Sequence, residues 1–230
     1  SLATLMCQNI TAAGFGIKAF LGIGGDPIIG TTTRDALEAL DAFEGVEAIA
    51  MVGEIGGAME EAAAEYAATM SKPIAAFIAE PIGGAAGIVS APDRYYTEVQ
   101  EVLEKHEILF WADEVICGFG RTGNDFGSNT MGIKPDLMSL AKQLSAAYIP
   151  VSAAVVPGFM YEAMREPSNQ LGIFGHGYTY TGHPVAAAAA LKALEIYQSE
   201  QLFEHAAQVG AYMQSRLREY EGHPLVGEVR

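Results

Sequence analysis

Short, nearly unbroken apolar runs recur along this chain, and they restrict its fold more than any other feature. They lie at Ala19–Ile23, Ala48–Val52, Ile74–Ala79, Ile108–Ala112, Leu137–Leu140 and Ser152–Val156. A strand with one wet face alternates apolar and polar residues. A strand that is apolar throughout is buried on both faces, as in a parallel sheet covered by helices. The intervening segments carry helix signals. Thr32 with Asp35 forms a capping box ahead of Ala36, Leu37, Leu40 and Phe43, and Ser90 with Asp93 repeats the pattern ahead of Tyr96, Val99 and Leu103. Near the C-terminus, Leu202, Ala206, Val209, Met213, Leu217 and Tyr220 make one stripe at helical spacing, expected to be core. Pro184–Ala190 is Ala-rich and reads as one tightly packed helix. Right-handed β-α-β crossovers then give an α/β fold, a three-layer sandwich with a mostly parallel sheet.

Two of the runs end in groups that do chemistry. The run through Phe110 and Trp111 ends in a carboxylate pair, Asp113 and Glu114, and Leu137–Ala141 ends in Lys142. Ligands of open α/β sheets sit beyond the carboxyl ends of the strands, so both groups are expected at one crevice. An amine and an acid so placed meet the needs of pyridoxal phosphate: the amine for a Schiff base, the acid to keep the pyridine nitrogen protonated. A lysine directly after an apolar strand is also expected to be buried. The alternative is an Asp113–Lys142 ion pair with no cofactor.

Charge and composition remove other classes. Half of the 230 residues are apolar and 18% are charged, which makes a globular chain of one large or two small domains. The net charge of −15 speaks against nucleic acid, which needs a basic face. Acids such as Glu60, Glu61 and Glu65 read as a solvated helix face. No apolar run reaches the length of a membrane span. Cys7 and Cys117 form no spacing motif and read as two free buried thiols, so a reducing cytoplasm is expected.

The wording around the two strand ends is more specific than their spacing. ADEVICGFGRTG, then PDLMSLAKQLSAAYIPVSAAVV, then FGHGYTYTGHPVAAAAAL resembles the class III pyridoxal-phosphate aminotransferases, the omega-amino-acid and pyruvate branch, from about Ala75 to Arg230. The resemblance implies part of the large domain of a type I pyridoxal-phosphate transferase. It makes Lys142 the Schiff-base lysine and catalytic acid–base, and Asp113 the partner of the pyridinium nitrogen. Val115 packs on the ring, Glu80 of the EP motif lies at the edge of the site, and Thr179 reaches the cofactor phosphate of a neighbouring subunit, which implies a homodimer. Small amines and 2-oxo acids are the implied substrates. His176 and His183 read as turn or packing residues, and Arg121 as an interface or loop-anchoring arginine.

The segment ahead of this one reads differently. GIGGDP and GEIGG resemble the flavodoxin-like domain of the succinyl-CoA synthetase alpha subunit and related acyl-CoA ligases. That resemblance makes Gly22, Gly24 and Gly25 a vestigial phosphate loop at a helix N-terminus, with Glu54 as the acid that contacts a phosphohistidine. The loop carrying that histidine is absent. So are the Gly-Ser/Ala phosphate loop and ring-stacking aromatic expected ahead of EPIGG in an aminotransferase. The expected organisation is therefore a chimera: residues 1–79 as a CoA-ligase-type segment and 80–230 as an aminotransferase segment, or both as one continuous domain, truncated at both ends. A flavodoxin-like half would continue into the aminotransferase part. Three functions stay open: transamination, impaired or lost in this chain; a silent fold chimera; and a phosphate- or CoA-binding module.

Overall fold

The protein is described by a computed structural model, which covers residues 17–19, 21, 31–52, 58–67, 69–72, 74–84, 87–172, 177 and 179–229. Gly22, Gly24, Gly25, Glu54 and His176 lie outside the described residues, as does most of the strand expected at Ala19–Ile23; Ala19 and Leu21 themselves are not in a strand.

Helix α1 (Thr33–Ala42) starts at the expected capping box. Thr32 Oγ1 accepts from the Asp35 amide at 3.1 Å, and Asp35 Oδ2 accepts from the Thr32 amide at 2.9 Å. There follow β1 (Ile49–Val52), α2 (Ala58–Ala67), β2 (Ile74–Ala79) and a small hairpin of β3 (Ile82–Gly83) and β4 (Val89–Ser90). Next come α3 (Tyr95–Lys105), β5 (Leu109–Asp113), α4 (Gly127–Met131) and β6 (Leu137–Leu140). A single 3-10 turn at Lys142–Ser145 leads to β7 (Ala153–Val155), α5 (Gly158–Leu171), α6 (Pro184–Ser199) and α7 (Leu202–Arg218).

The main sheet has the order β1-β2-β5-β6-β7. The first four strands are parallel and β7 runs antiparallel to β6, so the sheet is mostly parallel, as the apolar runs predict. Its central core joins Phe77 and Ala79 of β2, Phe110 of β5, Tyr96 and Leu103 of α3, and Ile133. Phe77 and Phe110 meet edge to face at 5.5 Å, and Tyr96 stacks on Phe110 at 6.0 Å. Burying each such ring stabilises by about 1.5–3 kcal/mol. A second cluster of Leu37, Ile49 and Ala63 closes α1 and α2 over β1.

Asp136 sets the β5–β6 register. Its Oδ2 accepts from the Phe110 amide at 2.8 Å while its own amide donates to the Phe110 carbonyl at 2.8 Å. Asp113 therefore stands opposite Ser139, and β6 needs only three more residues to reach Lys142. A one-residue slip would turn every side chain of either strand to the other face.

Two expectations are corrected. Ser90 and Asp93 do not cap α3: Ser90 pairs with Ile82 in the hairpin, and the helix begins after Arg94 (φ 70°), which makes no side-chain cap. The Tyr95 amide instead closes a turn onto the Pro92 carbonyl at 3.2 Å. The stripe on α7 is not core either. No residue of that helix is buried, and Val209, Met213, Leu217 and the following Tyr220 are exposed. Its first turns are partly covered, where Phe203 and Ala207 lie on Gly120 and Gly123. The Ala-rich helix does pack closely: α6 starts at Pro184 and buries Ala186, Ala190 and Ala193.

Candidate active site at the ends of two central strands

The end of β5 is the most buried polar part of the described chain. Asp113 is 9% exposed and Glu114 is fully buried. Glu114 does structural work. Its carboxylate accepts from the Gly127 amide (2.9 Å), the Ser128 amide (2.6 Å) and the Ser128 hydroxyl, fastening the N-terminus of α4. Buried charges persist when donors satisfy them, and here three do.

Asp113 is left much freer. Among the described residues the Val115 amide is the one hydrogen-bond donor to its carboxylate, at 3.0 Å to Oδ1. Burial pushes the Asp113 carboxyl above the usual range, while the Val115 amide and the Lys142 ammonium pull it back. Asp113 ends β5 and Lys142 follows the end of β6, the neighbouring parallel strand. Val115 follows in the turn and is half-buried. The Glu114 amide donates to the Ser139 carbonyl at 3.0 Å, and Trp111 Nε1 donates to the Ser139 hydroxyl at 2.8 Å, so β5 and β6 are tied beside the site.

Lys142 departs from expectation in one respect: it is exposed. It lies past the end of β6, in the 3-10 turn, where the sheet no longer covers it. It borders a cavity of about 260 Å³ lined by Ser145, Ala147, Ile149, Pro150 and Val151. Its backbone has φ 43°, left-handed for a residue with a Cβ. That conformation costs roughly 1–2 kcal/mol and persists only where the surroundings enforce it. Here Ser145, 2% exposed, donates its hydroxyl to the Ile149 carbonyl at 2.7 Å, and the Ala147 amide returns to the Lys142 carbonyl at 3.3 Å.

Glu80 stands at the end of β2, the strand beside β5, and is half-buried. Its Oε2 accepts from the Gly84 amide at 2.9 Å, and its carbonyl accepts from the buried Tyr96 hydroxyl at 2.6 Å. The buried Cys117 thiol feels the charges of Glu114, Glu80 and Asp113. Burial first, then these carboxylates, push its thiol up to about 11, which makes it an inert core group. Thr179 is exposed in the turn ahead of α6, with no hydrogen bond to Lys142 or Asp113. His183 precedes α6 as its exposed N-cap, a turn residue as expected. Among the described residues no group of three or more His, Cys, Asp or Glu could hold a metal ion.

The donor set fits pyridoxal phosphate at its ring nitrogen and aldehyde ends. A buried carboxylate with one donor has an oxygen to spare for a protonated ring nitrogen, and the primary amine of Lys142 follows the end of the next strand.

Comparison with known proteins agrees. The family described as aminotransferase class-III matches residues 41–230, and the chain belongs to that family. Its members depend on pyridoxal phosphate. A mitochondrial gamma-aminobutyrate transaminase 1 of Oryza sativa subsp. indica is 48% identical over 157 residues, 68% of this chain and 30% of that protein. A diaminobutyrate–2-oxoglutarate transaminase of Halomonas elongata is 48% identical over 158 residues, 68% of this chain and 34% of that one. The crystal structure of an omega transaminase from Pseudomonas jessenii in complex with PMP superposes with a TM-score of 0.70 at 40% identity, covering 94% of this chain and 45% of that chain. The mixed α/β fold is thus that of the transaminases. This chain spans about a third of the length of the curated relatives it matches.

The sequence did not reveal the residues that hold the two key groups in place. Asp136, Ser139, Gln143 and Tyr197 act through register and hydrogen bonds that form only after the strands pair. Gln143 had one available signal, its position next to Lys142.

Proposed function

We propose that this site carries pyridoxal-phosphate-dependent transamination between a small amine, of the omega-amino-acid type, and a 2-oxo acid such as pyruvate. The reading rests above all on Asp113: a buried carboxylate with one donor, on a strand tied to the one that leads to Lys142. When bound, pyridoxal phosphate supplies an electrophilic aldehyde carbon and a ring that takes up the electron pair left when the substrate Cα–H bond breaks. Lys142 holds the aldehyde end through its amine. With the cofactor bound, the same amine would be the group that takes up and returns a proton at the substrate carbon. Asp113 would keep a proton on the ring nitrogen, and Val115 would hold the ring. Glu80 borders the substrate, and Thr179 serves the cofactor phosphate of a second subunit in a homodimer.

The relatives' names support the substrate class, since one acts on gamma-aminobutyrate and another on diaminobutyrate and 2-oxoglutarate. A cytoplasmic location belongs to the same reading, supported by two cysteines without a spacing motif, although the rice relative is named as mitochondrial.

We further propose that residues 1–79 are a CoA-ligase-type segment joined at the β2 strand, and that cofactor binding is weakened as a result. GIGGDP and GEIGG support this, as do curated alignments that cover 68% of the chain. The family match begins at residue 41 and the structural likeness covers 94% of the chain, so the two resemblances overlap within residues 41–79. The sheet favours one continuous domain over two, because β1 and β2 pair into the same sheet as β5.

The test is turnover of an omega-amino acid with pyruvate by the purified chain, beside Lys142→Ala. Product formed by the parent chain and abolished by the substitution supports transamination. Equal traces from both would overturn it.

A further inference from the structure

The turn that carries Lys142 is held from two sides by groups outside the reacting set. With its amide oxygen facing the guanidinium, Gln143 accepts from Arg121 Nε at 2.9 Å and from a second guanidinium nitrogen of the same arginine. The backbone carbonyl of Gln143 accepts from the Tyr197 hydroxyl at 2.6 Å. Burial pushes the Tyr197 phenol up, while the Ala146 backbone and then the Arg121 charge pull it back. Arg121 and Tyr197 thus converge on Gln143, the residue adjoining Lys142.

The loop that presents Arg121 is itself fixed. The Phe119 amide donates to the Asp125 carbonyl at 2.7 Å, and the Thr122 and Thr130 hydroxyls share a hydrogen bond of 2.7 Å. The same loop begins where β5 ends, at Asp113, and is closed by Glu114. One continuous segment therefore holds the acid at one end and grips the lysine's turn at the other.

We infer that Arg121 is a positioning residue. Its two-pronged grip on Gln143 holds the left-handed backbone of Lys142, and with it sets the direction in which the ε-amine meets an incoming carbonyl. The inference deepens the transaminase reading and rests on Lys142 being its nucleophile. A planar guanidinium fork provides two parallel donors in fixed geometry, which lysine cannot copy.

The test needs no cofactor, so its failure is distinct from failure of the transaminase reading. Lys142 in the whole chain is acylated with acetic anhydride across a range of pH, and the rate is read by peptide mass spectrometry, with Lys134 and Lys192 as internal references. Losing a two-pronged charged hydrogen bond is worth roughly tenfold. Arg121→Lys and Arg121→Gln should therefore shift the Lys142 rate or its pH profile by about that factor. The reference lysines and the melting temperature should stay unchanged. Gln143→Glu, which keeps an oxygen acceptor for the fork, should retain the parent profile. An unchanged Lys142 profile in both Arg121 variants would overturn the inference. So would a rate change shared by all three lysines together with a lower melting temperature, since that reports loosening of the whole fold.

Discussion

The Glu114 amide donates to the Ser139 carbonyl at 3.0 Å, which joins the two central strands where β5 gives out and three residues before β6 delivers Lys142. The strand ends that carry the acid and the amine of the candidate site are aligned by this tie and by the register Asp136 sets at the other end of the strands.

Replacing Asp136 should therefore affect stability and site together. Asp136→Ala leaves the buried Phe110 amide without its acceptor, at a cost of about 1–3 kcal/mol. The urea midpoint should fall accordingly, and capture of pyridoxal phosphate on Lys142 should weaken. Full stability in this variant would show that other ladder bonds hold the register.

Asp113→Asn should separate stability from function. Burial already disfavours the charge at this position, so a neutral amide that still accepts from Val115 should hold stability within about 1 kcal/mol of the parent, or raise it. Cofactor binding should drop by roughly tenfold or more, because a charged hydrogen bond to the ring nitrogen is lost. Thermal melting and a spectroscopic titration with pyridoxal phosphate read the two effects separately.

Gly123 has φ 84°, and a Cβ there would come within 2.7 Å of the Ala207 Cβ. Gly123→Ala would meet both the left-handed penalty and the contact with α7, a combined loss of about 2 kcal/mol or more. Chemical denaturation measures it. A neutral result would mean that α7 moves away at no cost.

Stability should fall on the alkaline side. Burial pushes the Tyr96 phenol far above its usual range and the Cys117 thiol from 9.0 up to about 11. The unfolded chain releases both protons first, while the folded chain keeps them, so the unfolded state binds fewer protons and stability drops as pH rises. The decline should begin near pH 9 with Cys117 and steepen above pH 10 with Tyr96. Urea midpoints at several pH values check this, and Tyr96→Phe should flatten the upper part.

The strands were legible because each is an apolar run with no competing period, and five of the six expected runs are strands of the sheet. The Thr32 cap was legible for a similar reason, since its bonds are local in sequence. The Ser90–Asp93 cap was not: Ser90 is claimed by the hairpin partner Ile82, a contact that sequence spacing does not encode. The stripe on α7 is regular, but periodicity says only that a face is apolar, never that something covers it. Lys142 and Asp113 could be read as strand-end groups. The exposure of Lys142 could not, because it depends on the sheet stopping one residue earlier. Arg121 was visible as an unassigned arginine, and its partner Gln143 needed the folded loop.

The most direct measurement is an absorbance spectrum of the purified chain with pyridoxal phosphate, followed by borohydride reduction and peptide mapping, beside Lys142→Ala. The account predicts a visible band in the parent chain, fixed by borohydride on Lys142 alone and missing in the variant. A band that survives the substitution, or label spread over surface lysines such as Lys134 and Lys192, would contradict it.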